Sequence, residues 1–155
     1  TGRPELQSAV HRLVGYEDAL QQAGIPLDPD LIQAGDYSRQ TGFACAQRLL
    51  SLSNPPTAIF AANDESALGA IQAAQQAGLR VPGDLSVVGF DNIPEAAYTN
   101  PGLTTVDQFI DQMGYVATEM LISLITGNSL ESDVYKMPTQ LVVRDSCGAL
   151  AGNAS

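Results

Sequence analysis

The chain has no tryptophan, one histidine, two cysteines and one lysine, and each scarcity removes a class of chemistry. Cys45 and Cys147 stand alone without a CxxC pair, and His11 is the only imidazole, so a Cys/His zinc site is excluded. With Lys136 the only lysine and His11 the only histidine, a Schiff-base or Ser-His-Asp enzyme needs special pleading. Basic residues are scarce overall: 7 Lys and Arg against 17 Asp and Glu leave a net charge of −10. A surface this acidic repels phosphate backbones, so these residues alone do not build a nucleic-acid groove. No stretch approaches the ~18 uncharged apolar residues of a membrane helix, and the opening TGRPELQ does not read as a signal peptide. GxGxxG and phosphate-loop glycine patterns, internal repeats and low-complexity tracts are missing too. What remains is 155 residues, 45% apolar and 15% charged, the composition of one soluble globular domain.

Apolar periodicity alternates between helical and strand-like blocks. Leu6, Val10, Leu13, Tyr16 and Leu20 recur at spacings of three and four, which predicts a helix that Gly24 ends. Leu31 to Ala34 reads as a short strand. Ser38 then caps a second helix carrying Phe43, Ala46, Leu49 and Leu50 inward, stopped by Pro55 and Pro56. Residues 57–62 (TAIFAA) are apolar without alternation, the pattern of a strand covered on both faces. They lead into a third helix with an acidic first turn and an inner face of Ala67, Ala70, Ile71, Ala74 and Ala77. Small residues there imply close packing. Residues 85–90 (LSVVGF) form another buried-type strand, followed by a short helix or turn from Pro94. Residues 103–106 and 141–143 are further extended segments, and Ile110, Met113, Ala117, Met120, Leu121 and Leu124 make a helical stripe between them. The fold class is therefore α/β: a parallel sheet with helices on both faces.

Ligands of such sheets bind beyond the carboxyl ends of the strands. The residues standing there are Asp36 and Tyr37, Asn63 and Asp64, and Asp91 and Asn92. Amides and carboxylates divide donors and acceptors around hydroxyl groups, and a tyrosine adds a stacking face, so the set suits a polyhydroxylated or nitrogen-rich small molecule. Asn63 as a plain helix cap and Asp91 as a plain turn residue are the competing explanations. Carboxylates at strand ends also occur in Mg²⁺ phosphotransfer sites, but no lysine stands at a strand end here. The expectation is no enzyme, no metal and no cofactor.

The run PPTAIFAANDESALGAIQAAQQAGLRVPGDLSVVGFDNIPEAAYTNPGLTTVDQ resembles the signature stretch of the LacI/GalR family of bacterial transcription regulators. HRLVGYEDAL, the GDYS of residues 35–38, Met113 with Gly114, and the closing PTQLVVRDS carry the same resemblance, which covers nearly the whole chain. It implies the second lobe of a type I periplasmic-binding-protein-like fold, a cytoplasmic regulator and an effector that is a sugar or related metabolite. Carried over residue by residue, Arg12 of the RxxG motif, Asn63 of AND and Asp91 of VVGFD contact effector, Tyr37 lines the pocket, and Gln108 lies at the lobe crossover. A homodimer is implied through the helix from Asp64 to Ala77 and the segment 92–101, with Leu68, Ile71 and Tyr98 in the interface. Leu68 lies off the alanine-rich face and so needs an apolar partner.

The resemblance also implies a fragment. The family's helix-turn-helix, hinge, first part of the first lobe and opening strand of the second lobe are absent, so operator DNA would be bound only through that absent helix-turn-helix. Residues 1–106 and 138–146 fall in the C-terminal lobe, 107–137 form a helix and crossover belonging to the other lobe, and 147–155 are a tail. Leaving the helical stripe wet forgoes roughly 1.5 to 3 kcal/mol per large side chain, so the 155 residues alone are expected not to form a stable closed monomer. The helix should dock on another copy, fold back over the gap, or be supported by a further segment. A periplasmic sugar-binding protein of a transporter is the alternative, sharing the fold and the ND and GFD motifs.

Overall fold

A computed structural model describes residues 1–3, 5–130, 132 and 134–148. Four helices, α1 (Gln7–Gln22), α2 (Arg39–Leu50), α3 (Asp64–Gln76) and α4 (Ile110–Ile125), accompany four strands, β1 (Ala58–Phe60), β2 (Ser86–Asp91), β3 (Thr104–Asp107) and β4 (Gln140–Val142). The strands form one sheet in the order β1-β2-β3-β4. β1, β2 and β3 are parallel, as the apolar runs 57–62 and 85–90 lead one to expect. β4 runs antiparallel to β3, which corrects the all-parallel expectation to a mixed sheet. Three residues reached through a long crossover carry no directional signal in their side chains.

The core lies between the sheet and α3, with α2 beside it. Ala67, Ala70, Ile71 and Ala74 of α3, Ala46 of α2 and Leu85, Val87 and Leu103 around the strands are buried together, whereas Ala77 caps α3 and is exposed. The small residues do set the spacing of the two helices. A Cβ on Gly69 would stand 2.2 Å from the Arg39 carbonyl oxygen, and one on Gly42 would stand 2.4 Å from that of Ser66. Backbone therefore meets backbone at two glycines.

Strand parity sends Val87 and Gly89 of β2 toward α3 and Phe90 to the opposite face, where Arg12 of α1 lies over it. α3 packs on one face and Arg12 of α1 reaches Phe90 on the other, but β1, expected to be covered on both faces, leaves Ala58 and Phe60 exposed. The α1 stripe is less buried than its spacing predicts: Ala9 is the only buried residue, and Leu6 and Val10 are exposed. Leu31 to Ala34 is not a strand. Pro29–Leu31 form a 3₁₀ turn capped by Asp28, and beyond it Thr1 is the one described residue with backbone bonds to the segment, accepting from the Gly35 amide at 2.9 Å and donating to the Gln33 carbonyl at 2.6 Å. A single neighbouring residue does not make a ladder.

The LVVRDS motif stitches the sheet. The buried Ser146 hydroxyl donates to the Val87 carbonyl at 2.6 Å and accepts from the Thr104 amide at 2.8 Å, joining β2 to β3. By contrast α4 has no buried residue, with Tyr115, Leu121, Ile122, Leu124 and Ile125 all exposed. It does not fold back over the gap beside β1.

Candidate functional site

β2 and β3 end level, with Asp91 opposite Asp107 in the register. The chain turns immediately after β2 through two residues in left-handed backbone, Asp91 at φ 116° and Asn92 at φ 55°. Alternation would aim Asp91 at α3, as it does Val87 and Gly89. The positive φ breaks the alternation, and the carboxylate instead meets Arg12 at 3.7 Å and accepts a hydrogen bond from the Gln108 amide. The Arg12 guanidinium lies 4.1 Å from the Phe90 ring centroid and 6.0 Å from that of Tyr37, a cation flanked by aromatic faces.

Asn63 ends the segment after β1 at the same end of the sheet. Its Oδ1 accepts from the Ser66 amide, capping α3, and its Nδ2 donates to the Tyr37 carbonyl, both at 3.0 Å. The cap reading of Asn63 is thus correct, and the side chain keeps one amide hydrogen and one lone pair free. Tyr37, at φ 73°, lays its ring so closely on Gly2 that a Cβ there would stand 2.0 Å away, and its hydroxyl bonds Ser8 Oγ at 3.1 Å. All five expected residues, Arg12, Tyr37, Asn63, Asp91 and Gln108, belong to one connected group. Arg12, Asp91 and Gln108 meet directly, and Asn63 joins through Tyr37.

The sequence placed Asp64 and Asn92 at strand ends without assigning them a role, and Phe90, Asp107 and Arg144 did not stand out in it at all. Arg144 donates to Asn92 Oδ1 at 2.7 Å, Asn92 Nδ2 donates to Asp107 Oδ2 at 2.9 Å, and Asp107 Oδ1 accepts the Phe109 amide at 2.6 Å. This chain of bonds fixes the turn after β2 to the end of β3. Phe90 could have been found from strand parity, since it directly precedes Asp91 on the open face. The others reveal themselves only once distant segments meet.

Electrostatically the group is a screened ion pair. Burial pushes the Asp91 carboxyl above its ordinary value, while Arg12 and Gln108 pull it back. Such a site offers donors from Arg12 and Gln108 and acceptors from Asp91 and Gln108, with the Phe90 ring supporting the guanidinium from beneath. That combination can bind vicinal hydroxyls. A cavity bounded by described residues lies instead between α1, α2 and the free edge of β1. Leu13, Ile32, Leu49, Ala58 and Ala70 line it with Tyr16, Gln33 and Ser66, and of the five expected residues Arg12 alone is in its lining. Among the described residues no group of His, Cys, Asp and Glu is placed to hold a metal ion.

Of the expected interface residues, Tyr98 is 87% exposed, but Leu68 and Ile71 are buried at 7% and 6%. The premise that Leu68 needs an outside partner is corrected. α2, the sheet and the 3₁₀ turn Pro94–Ala97, with Ala96 buried, enclose more of α3 than its alanine face.

Residues 1–147 match the periplasmic binding protein-like domain family. The chain is 40% identical over 149 residues to the HTH-type transcriptional repressor CytR of Escherichia coli K12, covering 96% of this chain and 44% of CytR. A transcriptional regulator CelR–cellobiose complex superposes with a TM-score of 0.88 at 35% identity, covering 94% of this chain and 45% of that one. The lac repressor dimer bound to operator and the anti-inducer ONPF gives 0.85 at 33% identity, over 96% and 51%. The chain thus spans about half the length of these proteins or less, and all three are transcription regulators. It belongs to the periplasmic binding protein-like domain family, in the form carried by LacI-family transcription regulators.

Proposed function

We propose that the chain is the effector-sensing part of a bacterial DNA-binding transcription regulator, acting in the cytoplasm, with a sugar or related polyhydroxylated metabolite as effector. The observation that carries this reading is the meeting of Arg12, Asp91 and Gln108 beside Phe90 where β2 and β3 end. In this reading Asp91 accepts from effector hydroxyls, Arg12 and Gln108 donate to them, Tyr37 and Asn63 border the site, and no residue has a catalytic role. Residues 1–106 and 138–146 are one lobe, and 107–137 are the crossover whose apolar helix α4 covers the other lobe. Operator DNA is bound by a helix-turn-helix outside these residues. The regulator is a homodimer through the surface of α3 and residues 92–101, with Tyr98 as its exposed anchor.

A thermal-shift screen of the full-length protein against sugars, nucleosides and purines tests the reading, because a ligand stabilises the state it binds by RT ln(1 + [L]/Kd). A sugar that raises the melting temperature supports it. Stabilisation by purines or nucleosides alone would replace the sugar assignment.

A further inference from the structure

Asp64 is fully buried at the first position of α3, its side chain makes no hydrogen bond to the five residues assigned to effector, and its charge pushes the Asp91 carboxyl upward. Its carboxylate nevertheless gathers donors from the turn that carries Asp91. Oδ2 accepts the Ile93 amide at 2.8 Å, Oδ1 accepts the Thr105 hydroxyl at 2.5 Å, and the Phe90 amide points at the same group. Thr105, itself buried, in turn accepts the Asn92 amide at 3.4 Å. The backbone on both sides of Asp91 is therefore tied, directly or through one hydroxyl, to one carboxylate.

The space for this carboxylate is made by Gly89, where a Cβ would stand 2.1 Å from Asp64 Oδ1. An ionised carboxylate is acceptor-only, so it can face several donors at once; an amide of the same shape would turn its own N–H groups toward one of them. Burying a charge costs stability unless it is hydrogen-bonded, and burial does push the Asp64 carboxyl above its ordinary value. Two consecutive non-glycine residues with positive φ also persist only when their surroundings hold them.

The geometry points to Asp64 as the positioning residue of the effector site: its carboxylate holds the 90–93 turn in the left-handed form that presents Asp91 to Arg12 and Gln108. This rests on the reading of Asp91 as an effector contact. The test reads the Asp91 carboxyl itself and needs no effector, so failure of either idea is distinguishable from failure of the other.

The experiment follows the Asp91 titration by carboxyl ¹³C NMR in the full-length protein labelled at aspartate. In the wild-type background, Arg12→Ala removes a neighbouring cation and raises the Asp91 midpoint by about one pH unit. With Asp64→Asn present, the turn no longer holds Asp91 against Arg12, and the same Arg12→Ala change moves the midpoint by less than a third of that. A role confined to stability would lower the melting temperature yet leave the Arg12 effect on Asp91 equal in both backgrounds, and that result overturns the proposal. If Asp64→Asn does not fold, Thr105→Val removes one donor and the link to Asn92. It is then expected to halve the Arg12 effect or more, and an unchanged effect overturns the proposal in the same way.

Discussion

Arg12 on α1 and Asp91 at the end of β2 form a largely buried ion pair, 3.7 Å apart, with the guanidinium resting on the ring of the residue that precedes Asp91. The pair joins the helix on one face of the sheet to the turn that leads away from it. Arg12→Ala would leave a half-buried carboxylate with Gln108 as its remaining side-chain donor. The expected loss is about 2 kcal/mol of unfolding free energy by urea titration. Arg12→Lys should recover only part of it, since an ammonium restores the charge but not the planar stack on Phe90.

Burial is the largest influence on Asp91 and raises its pKa above the ordinary 3.8, against the opposing pull of Arg12 and Gln108. The ionised form is the one that accepts from effector hydroxyls, so effector affinity should hold at neutral pH and fall as pH drops through this raised value. The loss therefore begins above pH 3.8. For stability the sign is opposite: a raised folded pKa gives a contribution present below the unfolded value and lost as pH rises through the folded one. Asp91→Asn should remove the acid limb from an affinity-against-pH profile measured by calorimetry.

Close helix contact makes two glycines respond in opposite directions to the same change. Gly69→Ala puts a methyl group 2.2 Å from the Arg39 carbonyl oxygen, and the rigid α2–α3 contact should lose about 1 to 3 kcal/mol. Gly114→Ala on α4 meets nothing within 4 Å and should gain up to about 1 kcal/mol from helix propensity. Paired urea titrations check both signs.

At the proposed dimer surface, Tyr98 is the residue to change. Tyr98→Glu should shift the full-length protein toward monomer in sedimentation velocity with little effect on secondary structure, because its side chain makes no demand on the core. Leu68→Glu instead buries a charge inside the chain and should unfold it. A dimer that survives Tyr98→Glu unchanged places the interface elsewhere.

The strand ends were legible because a buried strand must change chemistry where it stops. The polar residues after 57–62 and 85–90 therefore stood out, and Asn63 and Asp91 do lie at the same end of the sheet. What was illegible depends on partners remote in sequence. Leu68 looked exposed on a helical wheel, yet α3 is enclosed by α2 and the 94–97 turn as well as by the sheet. The direction of β4 follows from its crossover, not its three residues. Residues 31–34 have strand composition, but among the described residues Thr1 alone bonds their backbone side by side. Asp64 stood both at a strand end and in an acidic first turn, but nothing local reveals that Ile93 and Thr105 come to meet it.

The central claim is that Asp91 reads the effector without taking part in DNA binding. The most direct test titrates the stabilising ligand from the screen, and separately operator DNA, into the full-length wild type and Asp91→Ala. Effector affinity should fall about 10- to 100-fold, the loss of one or two charge-assisted hydrogen bonds, while effector-free DNA affinity stays within about twofold, since the two sites are distinct and coupled only through conformation. Unchanged effector affinity in Asp91→Ala, or equal loss of effector and DNA binding, would contradict it.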